Sequence, residues 1–142
     1  MENFFNLVYV SQAHEQVCYT DIQKILVVSQ KNNIDNNVTG LLLYQDHHFL
    51  QILEGDEDQV MLIMARVIKD RRNHHLRVLI ESQSNKRIFE SFPMVFYDGD
   101  TDQSTSDLVM KIFATALDKT KNEKEILLQM LQCFRLSCPR FQ

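Results

Sequence analysis

Polar residues at three places stand where neighbouring positions are apolar, and together they could do chemistry. Gln51 lies in the middle of Phe49-Leu50-Gln51-Ile52-Leu53, where alternation puts it on one strand face with Phe49 and Leu53. Tyr9 lies between Leu7 and Ser11 on one face of another β-rich run, and Asn32 and Asn33 form a pair at the expected exit of a helix. A buried amide left unpaired costs about 1–3 kcal/mol, so something must satisfy Gln51. A carboxamide carries an acceptor oxygen and a two-donor nitrogen, which matches the alternating C=O and N–H edge of an imide ring. Asparagines at a helix exit, with glutamine and tyrosine on adjacent strands, suit a planar heterocycle held by its polar edge. The same residues also admit a plainer reading, a Tyr–Gln hydrogen bond in an ordinary core and an asparagine that merely caps a helix.

The elements that must position these residues follow from pattern. Phe4 to Val10 alternates and reads as a first strand. Thr20-Asp21-Ile22-Gln23 has capping-box form, and Ile22, Ile25, Leu26 and Ser29 follow at helical spacing. That helix is expected to run to about Asn32 and to end in the asparagine-rich segment 32–37, because asparagine tolerates left-handed backbone. Val38 to Tyr44 and Phe49 to Leu53 flank Gln45-Asp46-His47-His48, the signature of a hairpin with a four-residue loop. Asp56 opens a second helix with an acidic first turn, Arg66 and Lys69 in its last turn, and the stripe Val60, Ile63, Met64, Val67. Leu76 to Ile80 and Met94 to Tyr97 supply two more strands.

The order β-α-β-β-α-β-β predicts an α+β, ferredoxin-like sandwich over residues 1–97, with two helices on one sheet face. Asp98 to Ser106 reads as a polar linker. The segments 107–119 and 123–135 are amphipathic, with stripes Leu108, Ile112, Ala116 and Leu127, Met130, Leu131, Phe134. Residues 98–142 are therefore expected to form an appendage that covers the other sheet face.

Bulk properties exclude several function classes. The 142 residues carry a net charge of −4, and the densest basic stretch, Lys69 to Arg72, is interrupted by Asp70, so direct nucleic-acid binding is disfavoured. Three cysteines with no CxxC support neither a redox motif nor a zinc ribbon. His47-His48 and His74-His75 are adjacent pairs whose side chains point apart, so no metal site is expected. Asp98-Gly99-Asp100-Thr101-Asp102 lacks the glycine and glutamate offsets of a calcium loop. The N-terminus lacks the form of a secretory signal and no apolar run reaches about 20 residues, so a cytoplasmic protein without membrane contact is expected. An acylphosphatase-like hydrolase on the same fold would need a glycine-rich anion loop, and Gly40, Gly55 and Gly99 form none.

Several blocks in order carry a resemblance. Leu7-Val8-Tyr9-Val10-Ser11, Asp21-Ile22 with Ile25-Leu26, Ser29-Gln30-Lys31-Asn32-Asn33, Val38 to Tyr44, Phe49 to Gly55, and Asp70-Arg71-Arg72 resemble the BLUF family of flavin-based blue-light sensors. The resemblance covers about residues 3 to 97. It implies a flavin between the two helices, as FAD, FMN or riboflavin. By position it makes Tyr9 the electron donor and Gln51 the amide bridging it to the ring. Asn33 and Asn32 then hold the pyrimidine edge, Ile25 and Val67 sandwich the ring, Arg66 and Asp70 contact the ribityl–phosphate tail, and Met94 is the signalling methionine. Two positions depart from the pattern. Phe92 stands where many members have tryptophan, which puts in doubt any mechanism for the last strand that relies on an indole. Asn73 stands where a histidine often follows, with His74 one position later.

The mechanism so implied is a hydrogen-bond switch, not catalysis. After excitation Tyr9 gives up an electron and then, through Gln51, a proton. Their return leaves Gln51 rearranged, with no covalent adduct and no substrate consumed. The resemblance does not extend to an output module, so the signal is expected to pass to a separate downstream regulator protein or through a homo-oligomer. The rival reading is a chromophore-free protein-interaction module on the same fold.

Overall fold

The computed structural model describes residues 3–89, 95–100 and 102–137. Among them the elements run β1 (Phe4–Ala13), α1 (Tyr19–Asp35), β2 (Thr39–Gln45), β3 (His48–Gly55), α2 (Glu57–Lys69), β4 (Asn73–Ser84), β5 (Val95–Asp98), α3 (Gln103–Ala116) and α4 (Glu123–Ser137). The strands form one mixed sheet in the order β4-β1-β3-β2-β5. β3 pairs antiparallel with β1 and β2, β1 pairs antiparallel with β4, and β5 joins β2 in parallel. This is the ferredoxin-like α+β arrangement with one strand added at an edge.

Alternation along the strands decides which helix each residue meets. Leu7, Tyr9 and Leu53 pack with Val60, Ile63 and Met64 of α2, while Leu42, Tyr44 and Phe49 pack with Ile22 of α1. The intervening residues Val8, Leu41, Leu43, Leu50 and Ile52 meet Leu108, Val109 and Ile112 of α3 and Leu127 and Met130 of α4. Helices therefore cover both faces, which is why β3 is buried from Phe49 to Gly55, Gln51 and Glu54 included. Gly40 adopts φ +152°, and a Cβ there would collide with the Ile52 carbonyl, so the approach of β2 to β3 at this position requires glycine.

Several boundaries differ from the sequence-based expectation, each for a local reason. Cys18, not Thr20, is the N-cap of α1: its backbone N–H donates to Asp21 Oδ2 at 3.1 Å, three residues on. α1 continues to Asp35, so Asn32 and Asn33 lie inside its last turns, and the left-handed residue is Asn37 (φ 54°). The β2–β3 turn is two residues long, because Asp46 and His47 both take positive φ (47° and 62°) and Gln45 pairs directly with His48. β1 extends to Ala13 because Gln12 pairs with both His48 and His74 and Ala13 with Asn73, and β4 spans Asn73–Ser84, well beyond its apolar run, because ladder pairing tolerates polar residues on an edge strand. α3 begins at Gln103, where the Asp102 side chain accepts from Thr105 N–H at 2.7 Å. Phe92 and Met94 lie outside the described residues.

Candidate functional site

The site begins at the centre of the sheet. Tyr9 of β1 and Gln51 of β3 are direct cross-strand partners on the face that carries α1 and α2. Both side chains are buried, and the Tyr9 hydroxyl donates to Gln51 Oε1. Burial pushes the Tyr9 phenol above its ordinary range, with the negative charge of Asp70 adding to the effect. Tyr9 therefore keeps its proton at neutral pH and presents it to the amide oxygen.

Around this pair a cleft opens between the two helices, with the sheet as its floor. Tyr9, Gln51, Leu42 and Phe49 form the floor, Ile25, Ser29 and Asn32 the α1 wall, and Ile63, Arg66 and Val67 the α2 wall. Asp70, Arg72 and Asn73 close the end where α2 turns into β4. Its walls are thus apolar in the middle and polar at the ends, the lining expected for a planar aromatic ligand with a polar tail.

Charge is arranged at the outer end. Arg72 grips Asp70 through Nε to Oδ1 at 2.9 Å and Nη2 to Oδ2 at 2.6 Å, and the Arg72 backbone N–H donates to Oδ1 at 3.0 Å. These bonds hold the Asp70 carboxyl below its ordinary value and raise the Arg72 guanidinium. Across the cleft, Arg66 Nη1 donates to Asn32 Oδ1 at 2.9 Å, linking α2 to α1. Asn73 spends its amide on the carbonyls of Val67 (3.1 Å) and Asp70 (2.8 Å), closing the end of α2.

The structure brings together most of the residues singled out in the sequence. Tyr9, Ile25, Asn32, Gln51, Arg66, Val67 and Asp70 all line this cleft. Asn33 does not line it. It is fully buried, and neither its Oδ1 nor its Nδ2 has a hydrogen-bond partner among the described residues. A buried amide with both ends unmet is costly, and a ring edge offering a carbonyl and an N–H would meet both. The cleft's own lining, a Tyr9–Gln51 floor between the apolar side chains of Ile25 and Val67 with Asn32, Arg66 and Asp70 beside them, fits a flavin, and the unmet amide of Asn33 would join the ring edge only by turning from its buried position into the cleft. Ser11, Ser29, Arg72 and Asn73 were not singled out for the site. The Asp-x-Arg spacing from Asp70 to Arg72 was the one available signal for a side-chain pair.

Among the described residues no group of three or more histidine, cysteine or acidic side chains is placed to hold a metal ion, and no helix is long and apolar enough to cross a membrane.

Comparison with known proteins bears on the same residues. The model of the BLUF family, "sensors of blue-light using FAD", matches residues 4–95. The blue light- and temperature-regulated antirepressor BluF of Escherichia coli K12 is 29% identical over 92 residues, 65% of this chain and 23% of that protein. Photoactivated adenylate cyclase subunit beta of Euglena gracilis is 28% identical over 85 residues, 60% of this chain and 10% of that protein. The chain thus spans under a quarter of the length of these curated relatives. A bacterial light-regulated adenylyl cyclase superposes with a TM-score of 0.65 at 28% identity, covering 88% of this chain and 39% of that one. The dark-state structure of BlrB, a BLUF protein, covers 97% of this chain and 99% of its own with a TM-score of 0.77 at 20% identity, a likeness of fold.

Proposed function

Because the chain belongs to the BLUF family and is a flavin-based blue-light sensor, we propose that Tyr9 and Gln51 are the pair that answers the light. The observation that carries this reading is the buried hydrogen bond from Tyr9 to Gln51 Oε1 on the floor of the interhelical cleft. When bound, the flavin supplies blue absorption and an excited state that accepts an electron. Tyr9, the buried phenol, gives up an electron and passes its proton to the amide it already faces. Return of both leaves the Gln51 amide rotated or tautomerised, so that a donor stands where an acceptor stood. Such a local exchange of donor and acceptor is the kind of event that biases a two-state element.

The other residues hold the ring in place. Asn33 and Asn32 take the pyrimidine edge, and the unmet amide of Asn33 supports its part. Ile25 and Val67 project from opposite walls of the cleft and pack on the two ring faces. Arg66 serves the tail phosphate, while Asp70, its charge already answered by Arg72, accepts from ribityl hydroxyls. FAD is the flavin named in the family's description, and FMN or riboflavin would fill the same ring site. Met94, one residue before β5 in the sequence, takes the signalling role.

The signal passes from this sensor to a separate regulator protein in the cytoplasm or to a second copy of the chain. The antirepressor name of the Escherichia coli relative and the two helices packed behind the sheet support a contact-based output. No substrate is consumed in this scheme. The purified protein should be yellow, and blue light should shift its absorption bands reversibly to the red. A protein that stays colourless after gentle purification and takes up no added flavin would favour the chromophore-free interaction module instead.

A further inference from the structure

Glu54 is a fully buried carboxylate that plays no part in the cleft. It stands on β3 three residues beyond Gln51, and alternation turns it to the opposite sheet face, towards α3 and α4. There Oε2 accepts the backbone N–H of Ile88 at 2.8 Å and Oε1 accepts that of Phe89 at 2.7 Å. One carboxylate thus grips two successive amides of the connection that leaves β4 and returns to the sheet at β5. Arg87 fastens the same connection to the end of β3 and the entry to β2, donating to the Glu54 carbonyl (2.9 Å) and the Asn37 carbonyl (2.7 Å). Phe89 is itself fully buried in the cluster shared by the sheet, α3 and α4.

A glutamate carboxylate costs a great deal to bury, and a backbone connection can be held to a sheet by apolar packing alone. Its presence, fully buried near the end of the central strand, therefore calls for a use. Gln51 and Glu54 share one short, fully paired stretch of β3, one serving the cleft face and the other the rear face. A shift of β3 that follows rearrangement of Gln51 is transmitted without slack to the two amides that Glu54 holds, because charge-assisted bonds of this length are stiff. We propose that Glu54 is the positioning residue that carries the light response through the sheet, from β3 to the Ile88–Phe89 segment and so to the core beneath α3 and α4.

This inference rests on the photoreceptor reading, and its test separates the two. In the full-length, flavin-loaded protein, amide hydrogen exchange at Ile88 and Phe89 is measured in the dark and under continuous blue light. A several-fold change in exchange at both amides is expected. In Glu54→Gln one oxygen becomes an NH2 that faces an N–H, so the red shift should remain while the light-dependent change in exchange is lost. A protein that shifts to the red with no change at Ile88 and Phe89 in the unaltered chain overturns the proposal, whether or not the Gln variant folds. So does a Gln variant that keeps the full exchange response. A protein that binds no flavin or shows no red shift overturns the photoreceptor reading instead.

Discussion

Tyr9 and Gln51 face each other across the β1–β3 ladder, with the phenol donating to the amide oxygen and both groups shut away from water. Because the two residues are paired by strand register, neither can leave the other without disturbing a ladder that runs from Phe5–Gly55 to Gln12–His48. What can change cheaply is the orientation of the amide about its own bonds, since its oxygen and nitrogen occupy nearly the same volume. A fixed phenol beside a reversible amide is the arrangement a hydrogen-bond switch needs.

Replacing Tyr9 by Phe keeps the ring in its place and removes only the hydroxyl. The variant should bind flavin as the unaltered protein does and show no light-induced red shift, measured as a light-minus-dark absorption difference. It should also lose about 1 kcal/mol of stability, because the Gln51 oxygen loses its partner. A normal, reversible red shift in Tyr9→Phe would sink the assigned role.

Asn33 and Gln51 should differ in what their loss costs. The Gln51 oxygen is satisfied by Tyr9 within the protein, whereas both amide atoms of Asn33 lack partners among the described residues. Asn33→Ala should therefore weaken flavin retention more than Gln51→Leu does. With each hydrogen bond worth about 0.5–1.5 kcal/mol, the affinity difference should be about two- to tenfold or somewhat more. Equal loading of the two variants, titrated with added flavin, would count against this division of labour.

Much of this was legible in the sequence, and the reasons for the rest are physical. Gln51 and Tyr9 stood out because a period-two pattern makes one polar residue in an apolar strand conspicuous. The same pattern could have found Glu54, but it follows Leu53 at the strand's end, where a charged residue ordinarily marks the way out to solvent. Asn32 and Asn33 were placed at a helix exit because asparagine usually ends helices, yet here the chain turns only at Asn37. The hairpin loop was overestimated because Gln45 and His48 are polar, although they pair with each other. Arg72 and Asn73 were named in the sequence but given no part in the site, because a helix-to-strand turn has no periodicity to read and their bonds to Asp70 and Val67 depend on how the turn folds.

Acid should weaken the fold partly through Asp70. Hydrogen bonds from Arg72 hold its carboxyl below the ordinary value of 3.8. A depressed folded value means that the pair stabilises the protein above the unfolded value, and that this contribution disappears as pH falls through the folded one. Asp70→Asn should therefore flatten the loss of stability seen from about pH 4 downward in urea unfolding at a series of pH values. The flattening should be partial, because Asp21, Asp102 and Asp118 are also held low by hydrogen bonds. An unchanged slope in Asp70→Asn would show that the pair does not couple to folding.

The helices behind the sheet pose a separate question, whether they are only a cover or also an output. Leu108, Val109, Ile112, Ile126, Leu127, Met130 and Leu131 are buried against Val8, Leu41, Leu43, Leu50 and Ile52, so cutting the chain after Asp100 would bare a continuous apolar face. Such a fragment should aggregate, and its behaviour could not separate the two roles. Surface substitutions can. Met110 on α3, Leu117 at its C-cap and Leu128 on α4 are exposed apolar residues, and changing them leaves the buried stripe intact. A chain with Met110→Glu, Leu117→Glu and Leu128→Glu should stay folded, bind flavin and keep its red shift. If these helices present the output surface, it should also lose any self-association or partner binding that differs between lit and dark samples, read by light scattering on a sizing column. A triple variant with an unchanged light-dependent association would place the output surface elsewhere, and a soluble, monomeric fragment ending at Asp100 would show that the sheet needs no cover.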